Sequence, residues 1–161
     1  IVRGDGSDKV TDLLVKHKIP VILNRPHRNS NSEDDAYDYT YTIAKVLTDK
    51  GVLVSIGMEG QMERMNTRNL PFYAGTFAAH GLDKEVALKM LTGNTAKILG
   101  IDDMVGTLEV GKHATLFISE GDALDMRGNN LSKAYIQGRD ISLETHQTKL
   151  WKRYSDKYKS K

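Results

Sequence analysis

Among the 161 residues, the side chains able to do chemistry are few and scattered. There is no cysteine, so thiolate nucleophiles, thiolate metal sites and disulfide frameworks are excluded. The five histidines, His17, His27, His80, His113 and His146, never fall as H-x-H or H-E-x-x-H, spacings that would set two imidazoles on one metal. A nucleophile elbow (GxSxG), a phosphate loop of the GxxxxGK type and a GxGxxG fingerprint are all absent. GDGSD (4–8) has the spaced carboxylates of a calcium loop but not its distal glutamate. The densest reactive stretch is RPHRNSNSEDD (25–35), where Arg25, His27 and Arg28 sit in a polar loop. Guanidinium forks of this kind suit a substrate carboxylate. The tail LWKRYSDKYKSK mixes cations with Trp151, Tyr154 and Tyr158 and could touch phosphate. Its aromatic spacing fits one face of a docked amphipathic helix better.

These residues need elements to hold them. IPVILN (19–24) and GVLVSIG (51–57) are short continuous apolar runs, the pattern of strands buried on both faces of a parallel sheet. Ile1-Val2 looks like the end of a third such strand. Between them, helical spacing of Val10, Leu13 and Leu14 after a candidate N-cap, Ser7, predicts one helix. Tyr39, Ile43, Val46 and Leu47 predict another over about 36–50. NLPFYAGTFAAHG (69–81) and DKEVALKMLTGNTAKILG (83–100) predict further helices, the second with Asp83 as N-cap, a break at Thr92-Gly93-Asn94 and Gly100 as its end. From residue 105 the texture changes to short strands and turns, VGTLEV, ATLFIS, KAYIQ and RDISLE, and then the tail helix. Alternating strands and helices followed by a small β region predict an α/β protein with a parallel sheet and an antiparallel appendage.

With 39% hydrophobic and 27% charged residues the chain reads as an ordinary globular one, long enough for a real core. A net charge of +2 is too small to point to nucleic acid, and no apolar run reaches bilayer length, so neither nucleic acid nor membrane is expected as a partner. No signal peptide is visible, and localisation is not readable. The chain opens IVRGDG without an initiator methionine, which reads as a processed start or a piece of something longer.

The stretch NTAKILGIDDMVGTLEVGKHATLFISEGDALD (94–125) resembles the C-terminal signature of the amidohydrolase superfamily, in particular its imidazolonepropionase-like branch. Those proteins run Asn-Pro-Ala-x-x-Leu-Gly, then Asp-x-x-Gly-x-Leu-x-x-Gly-Lys-x-Ala-x-Leu, then Gly-Asp-x-Leu. NLPFYAGTFAAHGLDKEVALKMLT (69–92) is similar to the segment preceding it, so the resemblance covers most of residues 1–143. The resemblance implies the C-terminal part of a (β/α)8 TIM-type barrel over 1–104, with Ile1-Val2, IPVILN and GVLVSIG as strands six to eight. Part of a small β-sandwich over 105–143 and a terminal helix or basic tail over 144–161 would follow.

It also implies hydrolysis of C–N bonds in cyclic or other non-peptide amides by a divalent metal, zinc in the first instance, at the C-terminal rim of the barrel. Most ligands would lie in an N-terminal half that serves as partner, so the 161-residue chain alone is expected to be inactive and without bound metal. By the same resemblance Glu59, in SIGMEGQMER, stands where the family has an aspartate, as metal ligand and general base. Arg25, His27 and Arg28 fall on the rim as substrate-binding residues for a small amide. Arg3 stands where a histidine is usual, and His113 and Thr115 replace acidic residues. These departures suit a non-catalytic barrel relative that binds a ligand or partner. A complementing subunit is a further reading, and a homo-oligomer stays open.

Overall fold

The computed structural model describes residues 1–24, 26–30, 32–60 and 62–159. Three strands, β1 (Val2–Arg3), β2 (Val21–Asn24) and β3 (Val54–Gly57), pair in parallel in the order β1-β2-β3. A 3-10 turn (Ser7–Val10) and α1 (Thr11–Lys16) link the first two strands, and α2 (Tyr39–Asp49) links the second to the third. Parallel neighbours joined in chain order by helical crossovers are the repeating unit of (β/α) barrels. The register sets Arg3 opposite Leu23 and Asn24 opposite Gly57, so the three C-terminal strand ends stand nearly level.

The apolar runs form strands because alternate residues have a core to enter. Val21, Leu23, Val54 and Ile56 are buried with Ile43, Ala44 and Leu47 of α2. Phe77, from α3 (Leu70–Ala79), and Met90, from α4 (Lys84–Leu91), close the same core. Asp83 is the N-cap of α4, its carboxylate accepting from Val86 N at 3.0 Å. Asp83→Ala is expected to cost about 1 kcal/mol, read from the midpoint of chemical denaturation. The helical pattern breaks at Thr92, whose ψ of −95° is not helical, and resumes as α5 (Gly93–Leu99), ended by a left-handed Gly100.

The outer side of β3 is guarded from α5. Leu53 O accepts from Val21 N, so the next carbonyl, Val54 O, points the other way, toward the open edge. Asn94 Nδ2 donates to it at 2.8 Å, and Ser55 and Thr95 share a hydroxyl–hydroxyl bond of 2.7 Å beside it.

Beyond residue 115 a second sheet is antiparallel: β4 (Leu116–Ser119), β5 (Leu131–Ile136) and β6 (Arg139–Asp140). Gly75 of α3 faces Leu124, the buried residue of the β4–β5 connection. The chain then ends in α6 (His146–Lys159).

Three expectations are corrected. Ser7 caps no helix; its hydroxyl bonds to Gly4 O and it opens the 3-10 turn, with no side-chain cap there. VGTLEV is not a strand: Leu108 and Val110 stand out in solvent, and the antiparallel pair is β4 with β5. Gly106 and Gly111 do take positive φ, 98° and 96°, but as turns in an irregular segment. The tail forms its helix, yet no residue of α6 is buried, so the expected docking is not seen among the described residues.

Candidate functional site

The level strand ends gather three polar side chains. Arg3 closes β1 with φ of 82°, a left-handed conformation that costs a non-glycine residue strain. Its guanidinium meets the carboxylate of Glu59, two residues past β3, in a fork: Nε lies 3.2 and 3.1 Å from the two oxygens and Nη2 is 2.9 Å from Oε1. Asn24, the last residue of β2, donates from Nδ2 to the other oxygen at 2.8 Å. Both carboxylate oxygens therefore accept from fixed donors.

The energetics favour position over stability. The pair is open to solvent, with side-chain exposures of 72% and 41%, so screening leaves it little weight in stability as an ion pair. The Glu59 hydrogen bond first, and its charge second, hold the Arg3 guanidinium above its ordinary pKa, so Arg3 stays charged. Asn24 is only 9% exposed, and its Oδ1 is buried without a hydrogen-bond partner. An orphaned acceptor costs roughly 1–3 kcal/mol. The amide cannot flip to relieve this, because Nδ2 is needed at Glu59.

The rim loop divides. Arg25 lies outside the described residues. Arg28 pairs with Asp5 through Nη2 and donates from Nη1 to Asn29 O at 3.1 Å, while its carbonyl accepts from Thr40 Oγ1 at 3.1 Å. His27 Nε2 lies 2.7 Å from Thr76 Oγ1, and Thr76 donates its own proton to Phe72 O at 3.0 Å, so His27 is the donor. Its ring meets Tyr73 edge-on at 4.9 Å and Tyr41 at 6.1 Å. His80, the C-cap of α3, stacks on Tyr41 at 4.8 Å and bonds to Thr76 O through Nδ1 at 2.8 Å. His27 is thus tied to α2 and α3, apart from the group around Glu59.

Beside the Arg28–Asp5 pair lies an open cavity of about 230 Å³ lined by Asp5, Gly6, Lys9, Ser32, Asp35 and Tyr39. The Tyr39 hydroxyl donates to Asp8 at 2.6 Å and accepts from Gly6 N at 3.0 Å. Burial first, and the Asp8 hydrogen bond second, push this phenol far above its ordinary range, so it remains a neutral donor.

Sequence reasoning located Glu59 and noted Arg3 as a departure, but missed that they pair, and missed Asn24. The available signal for Asn24 was a polar residue closing the apolar run IPVILN, the position where barrel strands carry function.

For a metal, the described residues supply no complete site. Among the described residues no three His, Cys, Asp or Glu side chains come together as a metal site. Glu59, the carboxylate two residues past β3, is held by a guanidinium and an amide.

The profile of the amidohydrolase family matches residues 9–147, leaving α6 almost wholly outside the match. An amidohydrolase from Thermotoga maritima MSB8 is similar at 28% identity and a TM-score of 0.74, covering 88% of this chain and 36% of its own. A prolidase solved with N-methylphosphonate-L-proline matches at 17% identity and TM-score 0.62, over 89% and 40%. An adenosine deaminase from Xanthomonas campestris with bound zinc matches at 17% identity and TM-score 0.57, over 99% and 42%. A search of curated proteins finds no match. The chain spans between about a third and under half of the length of these solved relatives. On the family match over most of its length, this chain belongs to the amidohydrolase family.

Proposed function

We propose that these residues are the C-terminal portion of a hydrolase of carbon–nitrogen bonds, of the imidazolonepropionase-like kind, acting on a small cyclic or other non-peptide amide. One observation carries this reading: the level ends of three neighbouring parallel strands place Arg3, Asn24 and Glu59 in one hydrogen-bonded group. In barrel enzymes that rim is where reacting groups sit.

In this reading Glu59 is the general base that takes a proton from the attacking water. Water oxygen bonds to the amide carbon, the C–N bond breaks, and the proton passes to the leaving nitrogen. Arg3 and Asn24 aim the carboxylate. Arg28, freed from Asp5, and Arg25 bind a substrate carboxylate, with His27 beside them on the rim. Any metal the longer protein holds would take most of its ligands from outside these residues, with Glu59 the ligand offered from this part. The N-terminal half of the barrel is then the partner. Exposed apolar residues at the open margin, Ile1, Val2 and Leu13, and on the second sheet, Phe117, Ile118 and Ile136, give it surfaces to cover.

The test compares the 161-residue chain with a barrel-length protein containing it, assayed against lactams, cyclic amidines and N-acyl amino acids. Turnover by the barrel-length protein and none by the chain alone is the expected result. If the barrel-length protein hydrolyses none of these classes, the second reading stands, a barrel relative that binds without catalysing. The observation favouring it is that Arg3 already occupies the open side of Glu59.

A further inference from the structure

Helix α6 is built to stand by itself. Thr145 Oγ1 accepts from Thr148 N at 3.1 Å while Thr148 Oγ1 accepts from Thr145 N at 2.8 Å, a reciprocal cap that satisfies the helix start without help from the body. Glu144 adds ion pairs to Lys152 at 3.0 Å and Lys149 at 3.9 Å. The helix is capped, yet it buries none of its residues against the described body.

Its two faces have different chemistry. At about 100° per residue, Leu150, Trp151, Tyr154 and Tyr158 fall within an arc of roughly 100°. Trp151 and Tyr158 are each 65% exposed. The rest of the circumference carries Lys149, Lys152, Arg153, Lys157 and Lys159 against a single acid, Asp156. The cations flank the rings: Lys157 lies 5.5 Å from the Tyr158 centroid, Arg153 5.9 Å from Tyr154 and Lys159 5.9 Å from Trp151.

We propose that α6 lies flat in the interface of an anionic lipid bilayer, with the Leu150–Trp151–Tyr154–Tyr158 face toward the acyl chains and the five cations among the headgroups. Charge complementarity selects an anionic surface, and the apolar arc selects lipid among such surfaces. A nucleic acid would engage the cationic face and leave four large apolar side chains in water. Tryptophan and tyrosine, with apolar bodies and one polar tip, favour the headgroup boundary, and long lysine and arginine stems let their charges reach it. No helix among the described residues is long and apolar enough to cross a membrane, and a surface helix needs no such length. The expectation of no membrane partner rested on the lack of a spanning segment and did not address this geometry. The inference stands apart from the chemistry of the strand ends.

Trp151 is the one tryptophan in the chain, so its emission reports on α6 directly. The complete 161-residue chain is titrated with vesicles of phosphatidylcholine alone and of phosphatidylcholine mixed with phosphatidylserine. A blue shift and co-sedimentation with the anionic vesicles only, weakening with added salt, is the expected result. The pair Lys152→Glu and Arg153→Glu should lower vesicle affinity by roughly tenfold or more. Tyr154→Ser with Tyr158→Ser should abolish the blue shift while leaving far-ultraviolet circular dichroism unchanged. The proposal is overturned by equal binding to both vesicle types or by no shift with the anionic ones. A shift with duplex DNA but not vesicles overturns it in favour of nucleic acid. A shift that depends on protein concentration without lipid overturns it in favour of self-association.

Discussion

Glu59→Gln is expected to lower turnover by the barrel-length protein by roughly 10²–10⁴-fold, the range lost when a positioned general base is removed. Glutamine keeps the length and shape of the side chain, so the change removes charge and basicity and little else. Asn24 Nδ2 and the Arg3 fork, both donors, would then face a group with one acceptor oxygen instead of two. The exposed ion pair contributes so little to stability that unfolding cannot account for a loss of that size. Thermal melting of the same variant should therefore stay close to the parent. A variant that keeps full turnover would remove Glu59 from the chemistry, and a barrel-length protein with no turnover to lose would be a binding relative.

The second large effect is on stability. Gly75→Ala should destabilise the fold by about 3 kcal/mol, at the upper end of overpacking costs. A Cβ at position 75 would stand 2.2 Å from Leu124 O and 3.1 Å from its carbonyl carbon. Neither side yields readily. On α3 the neighbours Ala74 and Phe77 are essentially fully buried. The opposing loop is held by Asp122, which accepts from Leu124 N at 2.9 Å and pairs with Lys84 at 2.7 Å, and by Asn129, which donates to Ala123 O at 3.1 Å. Urea denaturation of parent and variant measures the difference, and a loss below about 1 kcal/mol would mean that helix and loop part without cost. The Lys84 hydrogen bond, and then the Leu124 N–H, keep the Asp122 carboxyl below its ordinary pKa. Its contribution is present above the unfolded pKa and is lost as pH falls through the folded one.

What could be read in advance was whatever is local. IPVILN and GVLVSIG announce buried strands because a parallel sheet needs unbroken apolar runs, and both lie where expected. Asp83 and the Thr92-Gly93 break were legible because caps and helix ends depend on a few adjacent residues. Leu108-Glu109-Val110 misled because alternation describes a strand without supplying a partner, and β4 already had β5. The Arg3–Glu59 fork joins residues 56 positions apart, across two crossovers, and no periodicity encodes that meeting. Asn24 was hidden for another reason: its importance lies in the carboxylate it faces, not in its own pattern. The tail helix was foreseen from its aromatic spacing, but the docking expected of it is not seen, since spacing says which face is apolar and nothing of what covers it.

Asn94, the first residue of the stretch that carries the family resemblance, acts as a one-residue substitute for a strand. An uncovered sheet edge is a template on which other chains can assemble, and natural proteins blunt such edges. With its amide on Val54 O, α5 has claimed the first outward acceptor of β3. An arriving strand must either pair beyond that point or displace the amide before its ladder can begin. The side chain therefore works as a register stop: it disfavours indiscriminate edge-to-edge stacking while leaving the rest of the margin for a strand that arrives in the right alignment.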